Sequence, residues 1–597
     1  MSIRALQTLF REAPLRVTII AAVFLIVGQA VFASFDLAEK FAKQGNDDVM
    51  RLVMVRDLIA GQGWFDVVQY RVLPPEGMPL HWSRYVDAAI AAIILPLSYI
   101  VSMPTAELLG AMIWPAMIQL IALAVVAMGT RRLFGTYAAC FAVLSLVLWP
   151  VTGSWHAGPG NLDHHNIQML MMMVMALSAV WPDRSVASGL VGGLAAAFSL
   201  AVGLEALIFV IAVGVVFFAR SFLSASTASR MALMTFCGAL SVGSVLFWLG
   251  QTAPAERMMP MCDRLSPTVL SVIWTATIAS TLPLLLWPSG RRPLQHLFVT
   301  ALISAGGIVL AWPMLITCLT GPYGDLPQEL QDFISRGVGE ALPLWLFTQQ
   351  NPLDAAPMIL PVLLTLGTIT YFVIEDLSTK RMSFTGEQFV VFAGLGFLCI
   401  VGVLMSLYQM RAITMSAAII PLFVGFILAR MFRAYFEQRD ATMALLGLVF
   451  ATLLISPGTV TPALAPLLPE EPEDPPGIGD CRSYASVLAL NAVPKAVILP
   501  HFNLAPHILW LTHHDVLSGG YHTSAEALFN AVTPFGMEEE ELREHLAESG
   551  ATHFLLCANT SYSGEFVSAL AAGEEVDWLR SVSLDDDNQV LLEVVTE

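Results

Sequence analysis

The sequence predicts a mainly α fold: a polytopic transmembrane helical bundle of about 13 spans, then a C-terminal external α/β domain. Three observations predict it. Of 597 residues, 56% are hydrophobic and only 13% charged, against about 25% charged in an ordinary soluble domain. Long apolar runs almost free of charge recur as far as residue 457, each close to the roughly 20 residues that cross hydrocarbon. The acids gather after residue 468, where Glu470, Glu471, Glu473 and Asp474 open a wetter region. The net charge of −18 offers phosphates no basic field, which argues against a nucleic-acid partner.

The first apolar run, about 17–34, follows Arg4, Arg11 and Arg16. It is longer than a signal-peptide core and no clear small-residue cleavage site follows, so it reads as a retained span. With the N-terminus cytoplasmic, Lys and Arg in short cytoplasmic loops order the rest. Cytoplasmic turns then fall at Arg131-Arg132, Asp183-Arg184, Arg220 to Arg230, Arg291-Arg292, Lys380-Arg381, and Arg430, Arg433 and Arg439. The external segments are 35–107, 152–165, 251–267 and 317–355. Residues 87–103 are apolar but broken by Pro96 and bounded by Pro104. As a span they would put Arg131-Arg132 outside, so they are expected as an external helical hairpin lying on the membrane.

Residues 1–457 thus form the membrane domain and 458–479 a linker rich in Pro and Glu. The odd number of spans leaves 480–597 outside as a small α/β domain. Its strands are expected at 496–499, 553–557 and 589–595, and its helices at 524–532 and 537–549. Seven cysteines show no Cys-x-x-Cys spacing. Cys262 and Cys318 are both external, as are Cys481 and Cys557, and an oxidising compartment permits each pair. Spacing alone leaves both pairings open.

Four constellations carry chemistry. Asp47-Asp48, with Arg51, Arg56 and Asp57 behind them, can ligate a hard cation or orient an acceptor nucleophile. Capping of a helix over 48–60 by Asn46 or Asp47 competes with that reading. The run Ser154 to His165 ends Asp163-His164-His165 at the mouth of a span, where a metal or substrate site is favoured over capping and packing. Arg411 lies between two apolar segments. It can snorkel to headgroups or hold a phosphate by paired hydrogen bonds. The loop 317–355 has the length of a substrate-contacting loop, and Glu340 near its apolar end is its best catalytic candidate.

Three of these four sites resemble the motifs of the C-type glycosyltransferases, and within them the catalytic subunit of oligosaccharyltransferases. The resemblance lies in Asn46-Asp47 followed by Arg56-Asp57-Leu58-Ile59-Ala60-Gly61, in Asp163-His164-His165 as an Asp-x-His motif, and in Arg411-Ala412-Ile413-Thr414 at the head of a late span. It implies Asp47, Asp163 and His165 as ligands of a divalent cation, Mg²⁺ or Mn²⁺. It implies Asp47, with Asp48 and Glu340 beside it, at the acceptor nucleophile, and Arg411 on the phosphate of a polyprenyl-(pyro)phosphate-linked sugar held in membrane lipid. Arg51, His81, Arg84, His164, His513, His514 and His522 are weaker substrate-binding candidates. The location implied is the bacterial inner (plasma) membrane, with the C-terminal domain periplasmic or extracytoplasmic.

One feature departs from that pattern. Oligosaccharyltransferases read an Asn-x-Ser/Thr acceptor with a Trp-Trp-Asp motif in the C-terminal domain, and no Trp-Trp occurs in this chain. The acceptor therefore stays open among glycan, lipid and protein. The rival reading from another class is a transporter or flippase of a lipid-linked sugar or other anionic solute. It needs ionisable residues near mid-membrane and repeated broken helices; Glu205 is its one candidate residue and no repeat is evident.

Overall fold

The computed structural model describes residues 12–595 apart from 183–184, 225, 288–292, 380–385, 439–440, 460, 465 and 467–477. The markers Arg4, Arg11, Asp183-Arg184, Arg291-Arg292, Lys380-Arg381 and Arg439, the acids Glu470 to Asp474 and most of the linker 458–479 lie outside the described residues. Among the described residues, eight helices are long and apolar enough to cross a membrane, and the bent pair Met410–Ala417 and Ile420–Arg433, taken as one span, makes a ninth. Four shorter apolar helices, Thr136–Leu148, His165–Val180, Val186–Val202 and Leu445–Ile455, occupy the remaining stretches expected to span. The chain is a multi-pass membrane protein by this length and composition.

Residues 84–98 correct one expectation. Arg84–Ser98 is a single helix that keeps Pro96 inside it, not a hairpin, and the chain turns at Tyr99 before Met103–Phe134 begins. Pro96 removes one amide bond only near the helix's end, where the last turn already frays. Elsewhere small residues permit close packing. A Cβ on Gly193 would meet the carbonyl oxygen of Phe236 at 2.4 Å, so Val186–Val202 and Thr227–Gln251 pack backbone to backbone there.

Two short strands, β1 (Val68–Gln69) and β2 (Met78–Pro79), form a hairpin in the first inter-helix loop. The C-terminal domain carries β3 (Val497–Pro500), β4 (Asp515–Val516), β5 (His553–Cys557), β6 (Leu579–Val582) and β7 (Gln589–Val594). Their order is β4-β3-β5-β7-β6, parallel across β4-β3-β5 and antiparallel beyond. Every residue of β5 is buried, as a central strand requires. Cys481 bonds to Cys557 at its end, and Cys262 bonds to Cys318 between two loops of the membrane domain.

The domain is seated on the helix Asn46–Ile59. Arg56 pairs with the buried Glu107 through two bonds of 2.9 and 2.7 Å and donates to the Trp510 carbonyl at 2.7 Å. Arg71 donates to the carbonyls of Leu509 and Thr512 at 2.6 and 2.8 Å and also to that of His514. Val72 bridges to Val516, so the loop extends the domain's sheet by one rung. Phe41 meets Trp510 edge-on at 5.0 Å, and the apolar core runs unbroken from bundle to domain.

Beneath this seat lies a buried charge cluster. Asp87 accepts from Arg51 at 2.9 Å and from Arg84 at 3.0 Å, and the Arg51 guanidinium stacks 4.2 Å over the Trp82 ring. All three charged residues are 1% exposed. Removing one partner from such a cluster costs about 3–5 kcal/mol because it strands the others. Asp87→Ala should therefore melt far below the wild type in a thermal-unfolding measurement on detergent-purified protein. Arg580→Ala, which breaks only an exposed pair with Glu593, should barely move. Coincident melting of Asp87→Ala and wild type would show that the cluster does not hold the loop.

Candidate active site

A cavity of about 670 Å³ opens where the bundle meets the C-terminal domain. Asp47 and Asp48 enter it from the first turn of Asn46–Ile59, where carboxylates suit the positive end of the helix dipole. Gly45 is the N-cap and no side chain caps the helix, so neither Asn46 nor Asp47 takes the capping role. The pair divides its work. Asp48 accepts from the backbone amides of Leu162 and Asp163 at 2.7 and 2.9 Å. Asp47 lines the cavity beside Tyr521 of the C-terminal domain, whose hydroxyl donates to the Asn46 carbonyl at 3.4 Å.

The second loop leaves the π-helical turn Val151–Trp155 and doubles back at Gly160, whose φ of +98° favours glycine. A Cβ there would also press on the Gln44 side chain at 2.9 Å. The loop delivers Asp163 with both oxygens engaged. Oδ1 accepts from the His164 amide at 2.7 Å and sits 2.6 Å from its Nδ1; Oδ2 faces His165 Nε2 at 3.3 Å. His164 Nε2 reaches Glu205 at 3.3 Å, and Gln168 donates to the same carboxylate at 3.1 Å. From His165 the contacts continue to Glu340 at 3.7 Å, and from Glu340 to Arg411 at 3.7 Å. Arg411 donates to the Tyr323 hydroxyl at 3.4 Å and to Gln409 at 3.3 Å. Asp163, His165, Glu340 and Arg411 thus form one polar wall.

Charge follows from this packing. Burial, then the nearby Asp163 and Glu340 carboxylates, push Asp47 up to about 7. Burial and Asp163 do the same to Asp48, up to about 7, against the two amides that favour its charge. Burial opposes charge on His164, but Asp163 and Glu205 flank it and raise it to about 10. Asp163, though buried, is held low by His164 and His165. Glu340 is also buried, and His165 and Arg411 hold it low. His156 meets His165 edge-on at 5.6 Å, and burial with that neighbour lowers it to about 4.

Beside this wall, His81, Asp263 and His522 offer ligand atoms that all lie within 4.8 Å of one another, so the three could hold a metal ion. Among the described residues, Asp47, Asp163 and His165 do not form a group within that limit, although they share the cavity. Closing them round one ion takes a side-chain movement. Burial, then the adjacent His522, lowers His81 to about 3, which keeps its imidazole neutral.

Four residues expected near substrate lie elsewhere. Arg51 and Arg84 are consumed by the Asp87 cluster beneath the cavity. His513 is exposed and pairs with Asn491 at 2.8 Å, while His514 is buried between the Leu490 carbonyl and the Ala496 amide. Conversely, Glu205, Asp263, Tyr323 and Tyr521 line the cavity and were not singled out as site residues. The signal for Glu205 was a carboxylate after the helix break at Gly203; the other three lie in loops whose approach depends on the fold.

No family model and no curated protein matches this chain. Solved structures do. The archaeal oligosaccharyltransferase AglB from Archaeoglobus fulgidus, in complex with an inhibitory peptide and a dolichol-phosphate, superposes with a TM-score of 0.67 at 13% identity, covering 92% of this chain and 70% of that one. The Archaeoglobus fulgidus oligosaccharyltransferase tethered to an acceptor peptide gives 0.61 at 14% identity over 92% and 70% of the two chains. The same enzyme in complex with Zn and sulfate gives 0.57 at 14% identity over 90% and 68%. The likeness is one of fold: the resemblance read from the motifs holds for the architecture, a polytopic bundle with an attached α/β domain.

Because Asp47 titrates near 7 in the folded chain, above its ordinary 3.8, its contribution to stability is present at low pH and lost as pH rises through about 7. In chelator-treated protein, Asp47→Asn should therefore melt higher than wild type at pH 8, with the gap narrowing at pH 5. Asp163 and Glu340, held low, act on the acid side of that window. A gap that does not change between pH 5 and pH 8 would sink the assignment of Asp47 as the repelled carboxylate.

Proposed function

We propose that this chain is an integral-membrane glycosyltransferase. It moves a sugar or oligosaccharide from a polyprenyl-(pyro)phosphate donor to an envelope acceptor on the extracytoplasmic side of a bacterial inner membrane. The observation that carries the reading is the meeting of Asp47, Asp163, His165, Glu340 and Arg411 in one cavity, though they come from four separate segments. The fold neighbour in complex with a dolichol-phosphate agrees with a lipid-phosphate donor. Two disulfides on the cavity's side of the bundle favour an oxidising compartment.

In the reaction, a lone pair of the acceptor attacks the anomeric carbon of the donor sugar. The bond from that carbon to the phosphate oxygen breaks and the (pyro)phosphate leaves with its electrons. Asp47 takes the acceptor's proton, a task suited to a carboxylate poised near neutral pH. Arg411 holds the leaving phosphate, and Tyr323 and Glu340 keep its guanidinium directed into the cavity. Asp163 and His165 supply oxygen and nitrogen donors beside the crowded Asp47, a set that fits a divalent cation such as Mg²⁺ or Mn²⁺. A bound cation supplies Lewis-acid stabilisation of charge on the leaving phosphate.

The acceptor class follows less closely. The C-terminal domain carries no Trp-Trp and turns Gly520, Tyr521 and His522 to the cavity, so a glycan or lipid acceptor is as well served as a protein. The transport alternative rested on Glu205, which pairs with His164 in this same cavity.

The test is Mn²⁺ and donor-analogue binding by purified protein in nanodiscs. Asp47→Ala and Asp163→Ala should each weaken Mn²⁺ by at least the about 10–100-fold that outer-shell partners of a metal contribute. Arg411→Ala should weaken a polyprenyl-pyrophosphate analogue about 10–100-fold, the worth of one charged hydrogen-bonded contact. Analogue binding indifferent to Arg411, to both aspartates and to Mn²⁺ would overturn the metal-centred mechanism and bring transport forward.

A further inference from the structure

Another part of the cavity lining is built from three segments distant in sequence. His81 follows β2 and precedes Trp82, which is clamped under Arg51. Asp263 directly follows Cys262, tied to Cys318. His522 follows Tyr521 in the C-terminal domain. His522 Nε2 stands 3.4 Å from Asp263 Oδ2, and the His81 and His522 rings lie 4.6 Å apart between centroids. His81 Nδ1 is buried and makes no hydrogen bond, a condition native structures rarely leave without a reason.

We propose that His81, Asp263 and His522 form a second metal site, for a transition-metal ion of the Zn²⁺ class, distinct from Asp47, Asp163 and His165. The donor set is two imidazoles and one carboxylate. That suits Zn²⁺, which accepts nitrogen, over Mg²⁺, which prefers oxygen and water. Round a tetrahedral ion with bonds of about 2.0–2.1 Å, neighbouring ligand atoms stand about 3.3 Å apart. The His522–Asp263 spacing already meets this, and the 4.8 Å limit on the trio leaves a rotamer-scale closure.

Three protein ligands leave the fourth position open, and all three residues line the cavity, so that position faces it. The Tyr323 ring packs on His522 at 5.2 Å while its hydroxyl meets Arg411. An oxyanion held by Arg411 is therefore the natural fourth ligand. The ion also fastens the C-terminal domain to two loops of the membrane domain. The metal site itself does not depend on the glycosyl-transfer reading.

The experiment uses full-length, metal-stripped protein in nanodiscs carrying Asp163→Ala, which disables the first site. Zn²⁺ is titrated calorimetrically and bound metal counted by mass spectrometry; Co²⁺ reports geometry by its absorption bands. One equivalent should bind with a tetrahedral Co²⁺ spectrum that inorganic phosphate perturbs. Adding His522→Ala or Asp263→Asn should weaken Zn²⁺ at least tenfold, with each metal-free variant melting close to its parent. No Zn²⁺ above one-tenth of an equivalent in the Asp163→Ala protein, or Zn²⁺ affinity unchanged by both second substitutions, overturns the proposal. Donor-analogue binding unchanged by Arg411→Ala, with Zn²⁺ binding intact, would instead count against the transferase reading alone.

Discussion

A single carboxylate holds the architecture of the cavity together. Asp48, 7% exposed, places one oxygen on the amides of Leu162 and Asp163. Two backbone donors satisfy a buried anion that would otherwise be very costly. The same bonds fix the second loop against the first, so Asp47, one residue earlier, shares a cavity with Asp163. Burial, and then the repulsion this closeness entails, raise the pKa of both aspartates to about 7. A cation relieves that repulsion, and so does protonation. The site is therefore built from charges that destabilise one another until something binds.

Such a site needs a rigid frame. Below it, the Arg51–Asp87–Arg84 cluster neutralises charge within the loop's own core, with Trp82 stacked on one guanidinium. Beside it, Arg56 and Arg71 spend their donors on carbonyls of the segment 509–514 and fasten the C-terminal domain to the loop. His507 adds a contact of 2.9 Å to the Ala42 carbonyl. These contacts explain why a domain with its own sheet shares a core with the bundle. They also place Tyr521 and His522 at the cavity.

The sequence by itself determined the membrane class and, among the described residues, the eight helices long and apolar enough to cross, because hydrocarbon thickness imposes length and apolarity on each segment independently of the others. It also marked Asp47, Asp163, His165, Glu340 and Arg411 as groups able to do chemistry, since carboxylates and imidazoles can ligate a cation and a guanidinium can hold a phosphate. Tertiary structure alone decided how those groups are used. Asp48 and Asp163 are 115 residues apart along the chain, and no local periodicity encodes that one supports the loop bearing the other. Arg51 and Arg84 look like substrate anchors in sequence, yet a third residue, Asp87, claims both. The trio of His81, Asp263 and His522 spans 441 residues between its first and last members, and their convergence depends on the docking of the C-terminal domain. Residue type is a local property, whereas distance between side chains is a property of the whole fold.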